Sequence, residues 1–231
     1  MTEAELVLFD LDGTLVDTAP DMARALNELV VAEGGRALPY ARIRPHVSNG
    51  AAGLLRLAFG DGLSATEHDR LRGDFLARYA DDIARESLPF PGMTELLAEI
   101  AARDMRWGIV TNKPGWLTTA LLDGLGLSDT AACVVSGDTL SRNKPDPAPI
   151  HHACELVAVP TGRTVYVGDA ERDIVAGRAA GTRTLVALFG YLEPGTNPAD
   201  WQADGMLEQP GDLWQHVSGP QRPDEQPGSR A

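Results

Sequence analysis

The chain has 231 residues, enough for one large α/β domain or for a domain of about 150 residues carrying an insertion, and its 43% apolar content supports a sizeable core. A formal net charge of −13 argues against nucleic acid and anionic membrane surfaces as partners. No apolar run reaches the ~18 residues that a membrane span requires, and the acidic N-terminus leads straight into an apolar segment, so a cytoplasmic protein without a signal peptide is expected, as a monomer or homodimer.

The first element is Leu6-Val7-Leu8-Phe9, an apolar run too short for a helix, which reads as a buried parallel strand. It ends abruptly in Asp10-Leu11-Asp12-Gly13-Thr14. Gly13 permits a tight turn and a close approach of backbone to ligand. Residues 19–33 place Met22, Leu26, Leu29 and Val30 on one helical face, with Thr18 and Asp21 spaced as a capping box and Gly34-Gly35 as a stop. A second segment starts at Leu38-Pro39-Tyr40 and breaks near Pro45. Ser48-Asn49-Gly50 opens a third helix, and a fourth spans roughly 64–86 with Leu71, Phe75, Tyr79 and Ile83 at every fourth position. No strand pattern occurs between about 16 and 88, so a helical block inserted after the first strand is expected, placed as a lid over the Asp10 end of the sheet.

From Met93 onward strands and helices alternate, which predicts a parallel sheet covered on both faces. The strands are Trp107 to Val110, Ala131 to Val135, Thr164 to Val167 and Thr184 to Leu188. Between them lie helices built on Leu117, Leu121 and Leu122, on Ile150, Ala153, Cys154 and Val157, and on Ile174 and Val175. Cys133 and Cys154 fall in these apolar segments and read as reduced core residues. After Phe189 the chain reads as loop, with Trp201 and Trp214 as packing anchors, and from about 218 its composition predicts disorder.

Four polar groups stand at or just after strand ends: Asp10/Asp12, Thr111-Asn112, Lys144 and Asp169/Asp173. Each has an ordinary reading alone: Thr111 as a helix cap, Lys144 as a solvated loop cation, Asp169 as the N-cap of a helix over 170–180. In a parallel sheet, however, the strand ends share one edge, where open α/β sheets bind their ligands. Together the four groups fit phosphoryl transfer. Asp10 is the candidate nucleophile, forming an aspartyl-phosphate. Asp12 is the candidate acid for the leaving oxygen and base for water. Thr111, the following backbone N–H at Asn112 and Lys144 would hold the phosphate oxygens. Asp173 would orient Lys144 or a metal-bound water. The clustered carboxylates call for a hard cation such as Mg²⁺. A calcium-loop reading fails at Thr14, Leu15 and Asp21, and neither lysine has the context of a P-loop.

Phe9-Asp10-Leu11-Asp12-Gly13-Thr14-Leu15, Thr111-Asn112-Lys113, Lys144-Pro145 and Gly168-Asp169 with Asp173 resemble the four ordered motifs of the haloacid dehalogenase superfamily. The resemblance covers about residues 5–215. It implies a Rossmann-like core (1–15 and 89–217) with a helical cap (16–88) ahead of a tail (218–231), and Mg²⁺ held by Asp10, the Asp12 carbonyl and Asp169. It implies phosphate chemistry rather than dehalogenation, because the dehalogenases lack the second Asp. The phosphonate-cleaving branch uses a cap lysine, and no lysine precedes Lys113. Within the superfamily, Asp17-Thr18-Ala19-Pro20-Asp21 and Ser48-Asn49-Gly50-Ala51 are similar to bacterial phosphoglycolate phosphatases. The segment Phe189-Gly190-Tyr191, with Asn197-Pro198 and Trp201, is similar to the N-acetylmuramic acid 6-phosphate phosphatases. A small phosphorylated metabolite is therefore the expected substrate, with Arg44, His46, Asn49 and Arg56 as candidates to read its carboxylate or hydroxyls or as ordinary helix residues. A sugar phosphomutase and a non-catalytic phospho-ligand-binding protein are the remaining readings.

Overall fold

The computed structural model describes residues 2–218. A two-residue strand β1 (Thr2–Glu3) precedes β2 (Leu6–Phe9), the expected first buried strand. The helical block follows: β3 (Val16–Asp17), α1 (Ala19–Ala32), α2 (Tyr40–Ile43), a 3-10 turn over Arg44–Asn49, α3 (Gly50–Phe59), α4 (Ala65–Asp81) and β4 (Leu88–Pro89). The alternating part then runs α5 (Met93–Ala102), β5 (Arg106–Val110), α6 (Gly115–Gly124), β6 (Val134–Val135), α7 (Ala148–Val157), β7 (Thr164–Gly168), α8 (Glu171–Ala180) and β8 (Arg183–Ala187). The chain finishes with β9 (Gly205–Leu207) and β10 (Val217–Ser218).

Six strands form one parallel sheet in the order β6-β5-β2-β7-β8-β9. The chain builds outward from β2 to β6 on one side, then returns to β7 and builds to β9 on the other. β2 therefore sits where the winding reverses, and such a switch point opens a crevice at the strand ends. Both faces of β2 are buried, as its unbroken apolar run demands. Val7 and Phe9 join the larger core with α5 and α6, while Leu6 and Leu8 pack with Ile150, Ala153 and Cys154 of α7 and with Ala176 of α8. Both cysteines are buried and free. Trp201 packs on Ile174 and Val186, and Trp214 lies against the main core with the Arg103 guanidinium 3.9 Å over its ring. The expected α/β architecture, a parallel sheet with an inserted helical cap, is the observed one.

Several local expectations change. The segment 16–88 is not wholly helical, because β3 pairs antiparallel with β4 to form a short ribbon where the helices leave and rejoin the core. The Thr18–Asp21 capping box does not form. Thr18 Oγ1 instead donates to Asp12 Oδ1, and the buried Asp21 carboxylate accepts from the backbone N–H groups of Glu86 and Ser87 and from the Ser87 hydroxyl. Asp21 thus ties the returning strand to α1 rather than capping its own helix. The fourth helix ends at Asp81, short of the expected 86, and its true capping box is Ser64 with Glu67. The strand expected over 131–135 is only Val134–Val135. The segment after Phe189 is not all loop, since it supplies β9 to the sheet. Ser218, placed in the expected disordered tail, pairs with Glu3, and the rest of that tail lies outside the described residues. No helix among the described residues is long and apolar enough to cross a membrane.

Candidate active site

The β2 strand delivers Asp10 directly to the switch point. The Asp10 N–H still bonds the Val167 carbonyl at 2.9 Å, so the sheet ladder holds its backbone to the last residue. Its Oδ1 accepts from the Leu11 N–H at 2.7 Å and faces Lys144 Nζ at 2.9 Å. Neither interaction uses Oδ2. Gly13 then turns the chain at φ +88°. A Cβ at Gly13 would lie 2.1 Å from Asp169 Oδ2, and one at Gly190 would lie 2.4 Å from Asp169 Cβ. Glycine at both positions lets two loops close on the Asp169 carboxylate.

Lys144 is no solvated loop cation. It is 3% exposed, and its Nζ lies 2.9 Å from Asp10 Oδ1, 2.7 Å from Asp173 Oδ1 and 2.8 Å from the Tyr166 hydroxyl. A buried ammonium needs such company to offset its lost hydration. Asn112 fixes the lysine's backbone: its side chain accepts from the Lys144 N–H at 3.1 Å and donates to the Lys144 carbonyl at 3.0 Å. The Asn112 side chain thus holds the Lys144 backbone, and the Asn112 backbone N–H is the group expected to meet a phosphate oxygen. Thr111 does not cap α6. Its Oγ1 accepts from the Lys113 N–H at 3.2 Å, which leaves the hydroxyl proton to donate elsewhere.

Asp169 does not cap α8 either, because that helix begins at Glu171, after Ala170. Asp169 Oδ2 accepts from Ser48 Oγ at 2.6 Å and from the Tyr191 N–H at 2.9 Å, while Oδ1 is buried without a hydrogen-bond partner. Burial, and then the charges of Asp10 and Asp173, push Asp169 up to about 7. Oxygens of Asp10, Asp169 and Asp173 lie within 4.8 Å of one another. A divalent cation fits this set: it would partner the orphaned Asp169 oxygen and remove the repulsion that raises its pKa. The Asp12 carboxylate stands outside the cluster. Its Oδ1 accepts from Lys113 Nζ at 2.9 Å and from Thr18 Oγ1 at 2.7 Å. The two lysines thus divide the two aspartates between them.

A cavity of about 410 Å³ opens over these groups. Asp10, Asp12, Thr111, Asn112 and Lys113 face it from the core, and Val47, Ala51, Phe75, Leu76 and Tyr79 from the inserted helices. Arg172 lines it from α8, and Arg72 lines it from α4. Of the four residues expected to read the substrate, three do not line the cavity. Arg44 donates to the carbonyls of Gly190 and Phe189 and lies over the Tyr191 ring, bracing cap against core. His46 faces Glu193 at 3.3 Å. Arg56 is paired with Asp61 in solvent and does not line the cavity. Asn49 does line it, although its side chain bonds Glu193. The side chains not assigned from sequence are Lys113, Arg72, Arg172 and Ser48. Arg172 donates to the Ser48 carbonyl at 2.6 Å, and Ser48 in turn reaches Asp169, so this corner joins cap and carboxylate cluster. A signal for Lys113 was present in the composition: in a chain that otherwise uses arginine, a lysine marks a place where a compact charge is needed and a planar fork does not fit.

Comparison with known proteins identifies the family. Residues 7–187 match the family model described as haloacid dehalogenase-like hydrolase. A phosphoglycolate phosphatase of Xanthomonas campestris is 41% identical over 215 residues, covering 93% of this chain and 97% of the relative. An N-acetylmuramic acid 6-phosphate phosphatase of Pseudomonas aeruginosa is 40% identical over 207 residues, covering 90% and 92%. A crystal structure of a predicted phosphoglycolate phosphatase from Haemophilus somnus superimposes with a TM-score of 0.83 at 26% identity, covering 94% of this chain and 99% of that one.

Proposed function

This chain belongs to the haloacid dehalogenase-like hydrolases, and from that premise we propose that it is a phosphatase hydrolysing 2-phosphoglycolate through an aspartyl-phosphate at Asp10. The observation that carries the reading is the pairing of Asp10 Oδ1 with Lys144 and the Leu11 N–H. It aims the unused Oδ2 as a nucleophile and offsets the carboxylate charge that would repel a phosphate dianion. The Thr111 hydroxyl and the Asn112 N–H receive the equatorial oxygens beside Lys144. As Oδ2 bonds phosphorus, the bond to the leaving oxygen breaks and Asp12 supplies that oxygen's proton. Asp12, now ionised, takes a proton from the water that cleaves the aspartyl-phosphate, which restores both carboxylates. Asp173 holds Lys144 in line. Asp10 and Asp169, with the Asp12 carbonyl, would hold Mg²⁺, and the ion supplies charge neutralisation at the phosphate.

A second reading rests on the size of the cavity. At about 410 Å³ it falls in the range that drug-sized ligands fill, more than a two-carbon acid phosphate requires, and its cap wall is largely apolar. N-acetylmuramic acid 6-phosphate would use that space. Phosphate release with Mg²⁺ on the two substrates separates the readings, with Asp10→Asn and EDTA as controls. A much higher kcat/KM on phosphoglycolate supports the first reading, and preference for the amino-sugar acid replaces it with the second. Release that survives Asp10→Asn unchanged overturns the mechanism for both.

A further inference from the structure

Lys113 belongs to neither the phosphate cradle nor the carboxylate cluster, yet it is 7% exposed, and although burial works against its charge, Asp12 and Tyr79 hold the ammonium above the ordinary lysine range. Its backbone is bolted to the core: the N–H donates to Thr111 Oγ1 at 3.2 Å, and the carbonyl accepts from the Gly137 N–H at 2.8 Å. Its tip spans the gap between core and cap. Nζ donates to Asp12 Oδ1 at 2.9 Å and to the Tyr79 hydroxyl at 2.8 Å. Tyr79 lies on α4 of the inserted helices, 1% exposed and stacked on Phe75. Asp12 is gripped from a second side by Thr18, at the start of the same helical block. Both grips end on Oδ1, which leaves Oδ2 to carry a proton.

Burying an ammonium is costly, and Lys113 offsets that cost through two partners among the described residues, the Asp12 carboxylate and the Tyr79 hydroxyl. A lysine here is explained by what it holds. We propose that Lys113 is a positioning residue, which together with Tyr79 fixes the Asp12 carboxyl against the leaving oxygen and makes that placement depend on the cap being seated. The inference rests on the acid–base role of Asp12 given above. The step served is the transfer of the Asp12 proton to the leaving oxygen as the Asp10–phosphorus bond forms and the phosphorus–oxygen bond breaks. A free alkoxide is a poor leaving group and needs that proton, whereas 4-nitrophenolate leaves without it.

The test compares kcat/KM on 4-nitrophenyl phosphate with kcat/KM on an alkyl phosphate, 2-phosphoglycolate or N-acetylmuramic acid 6-phosphate, whichever the enzyme prefers. Loss of acid placement raises the aryl-to-alkyl ratio, whereas a general loss of structure lowers both alike and leaves the ratio unchanged. Asp12→Asn sets the full size of the effect, about 100-fold or more. Lys113→Met is expected to raise the ratio by at least about tenfold within that limit. Tyr79→Phe keeps the ring and the Phe75 stack. Burial holds the Tyr79 phenol up at about 12, so this change removes a hydrogen bond and no charge. It is expected to raise the ratio about threefold to tenfold, and it keeps the test decisive if Lys113→Met does not fold. If Asp12→Asn raises the ratio and neither Lys113→Met nor Tyr79→Phe does, the inference is overturned and the acid–base assignment stands. If Asp12→Asn itself leaves the ratio unchanged, the assignment fails and the inference falls with it.

Discussion

The two walls of the cavity are built on opposite terms. The core wall is a set of charges brought together by strand ends and cross-paired in burial: Lys144 with Asp10 and Asp173, Lys113 with Asp12. The cap wall is mostly apolar, with Val47, Ala51, Phe75 and Leu76 facing inward and Arg72 the charged residue on α4 that lines the cavity. Asp10 is tied to the sheet through its N–H on the Val167 carbonyl, and Lys144 through the Asn112 side chain on its backbone. The cap wall hangs on a ribbon of two-residue strands and on struts such as Arg44 and Ser48. The difference sharpens the proposal made above, in which the charged wall carries the chemistry and the apolar wall the substrate choice.

The largest expected break in this division comes from Lys144→Met. The change leaves Asp10 and Asp173 facing each other without a cation, and removing one partner of a buried pair costs about 3–5 kcal/mol. Urea unfolding should show that loss along with near-complete loss of turnover. Unchanged stability would mean that the charged wall is not internally balanced.

Metal and pH probe the same wall from another side. Without a cation, Asp169 sits at about 7 in the folded protein, above its ordinary 3.8. A carboxyl raised on folding binds its proton more tightly in the folded state. Its contribution to stability is therefore full below about pH 4, drains away as the pH rises to about 7, and is flat beyond. In EDTA, the Tm advantage of the protein over an Asp169→Ala variant should shrink across that window. At about pH 8 a divalent cation at a hundredfold excess over its Kd should restore about 2.7 kcal/mol, with a much smaller gain near pH 4. A Tm difference that does not change with pH would show that the cluster is not strained by its own charge.

The cap wall should answer with smaller, substrate-dependent effects. Arg72→Ala is expected to raise KM about tenfold for a substrate with a second acid group while kcat holds, the signature of lost ground-state binding. Arg56→Ala, at an exposed pair with Asp61, should change neither constant beyond about twofold and stability by less than about 1 kcal/mol. An Arg56 effect exceeding that of Arg72 would redraw the cap wall.

The same division explains how much could be read from the sequence. Leu6 to Phe9 is a continuous apolar run ending in Asp10, and Val165 to Val167 is a shorter one just ahead of Gly168-Asp169, so strand, burial and polar end were legible together. The ribbon of Val16–Asp17 and Leu88–Pro89 was not, because two residues carry no period and a proline there argues against a strand. β9 escaped for the same reason, with three residues among turn formers. Thr18 and Asp21 have capping spacing, yet tertiary partners, Asp12 for one and Ser87 for the other, compete successfully for their side chains. Spacing along a helix shows which residues are neighbours in sequence and nothing of what a distant loop offers. For that reason Arg44 reads as a substrate contact and is found bracing Phe189 and Gly190.

The central claim is that Asp10 becomes phosphorylated. Asp12→Asn should slow hydrolysis of the phospho-enzyme, while 4-nitrophenyl phosphate still loads it. Borohydride reduction of the quenched enzyme, followed by peptide mass spectrometry, reads the outcome. Conversion of residue 10 to homoserine, dependent on substrate and absent from the Asp10→Asn variant, is the predicted result. Phosphate release with no modification at residue 10, or with the phosphoryl group on another side chain, would contradict it.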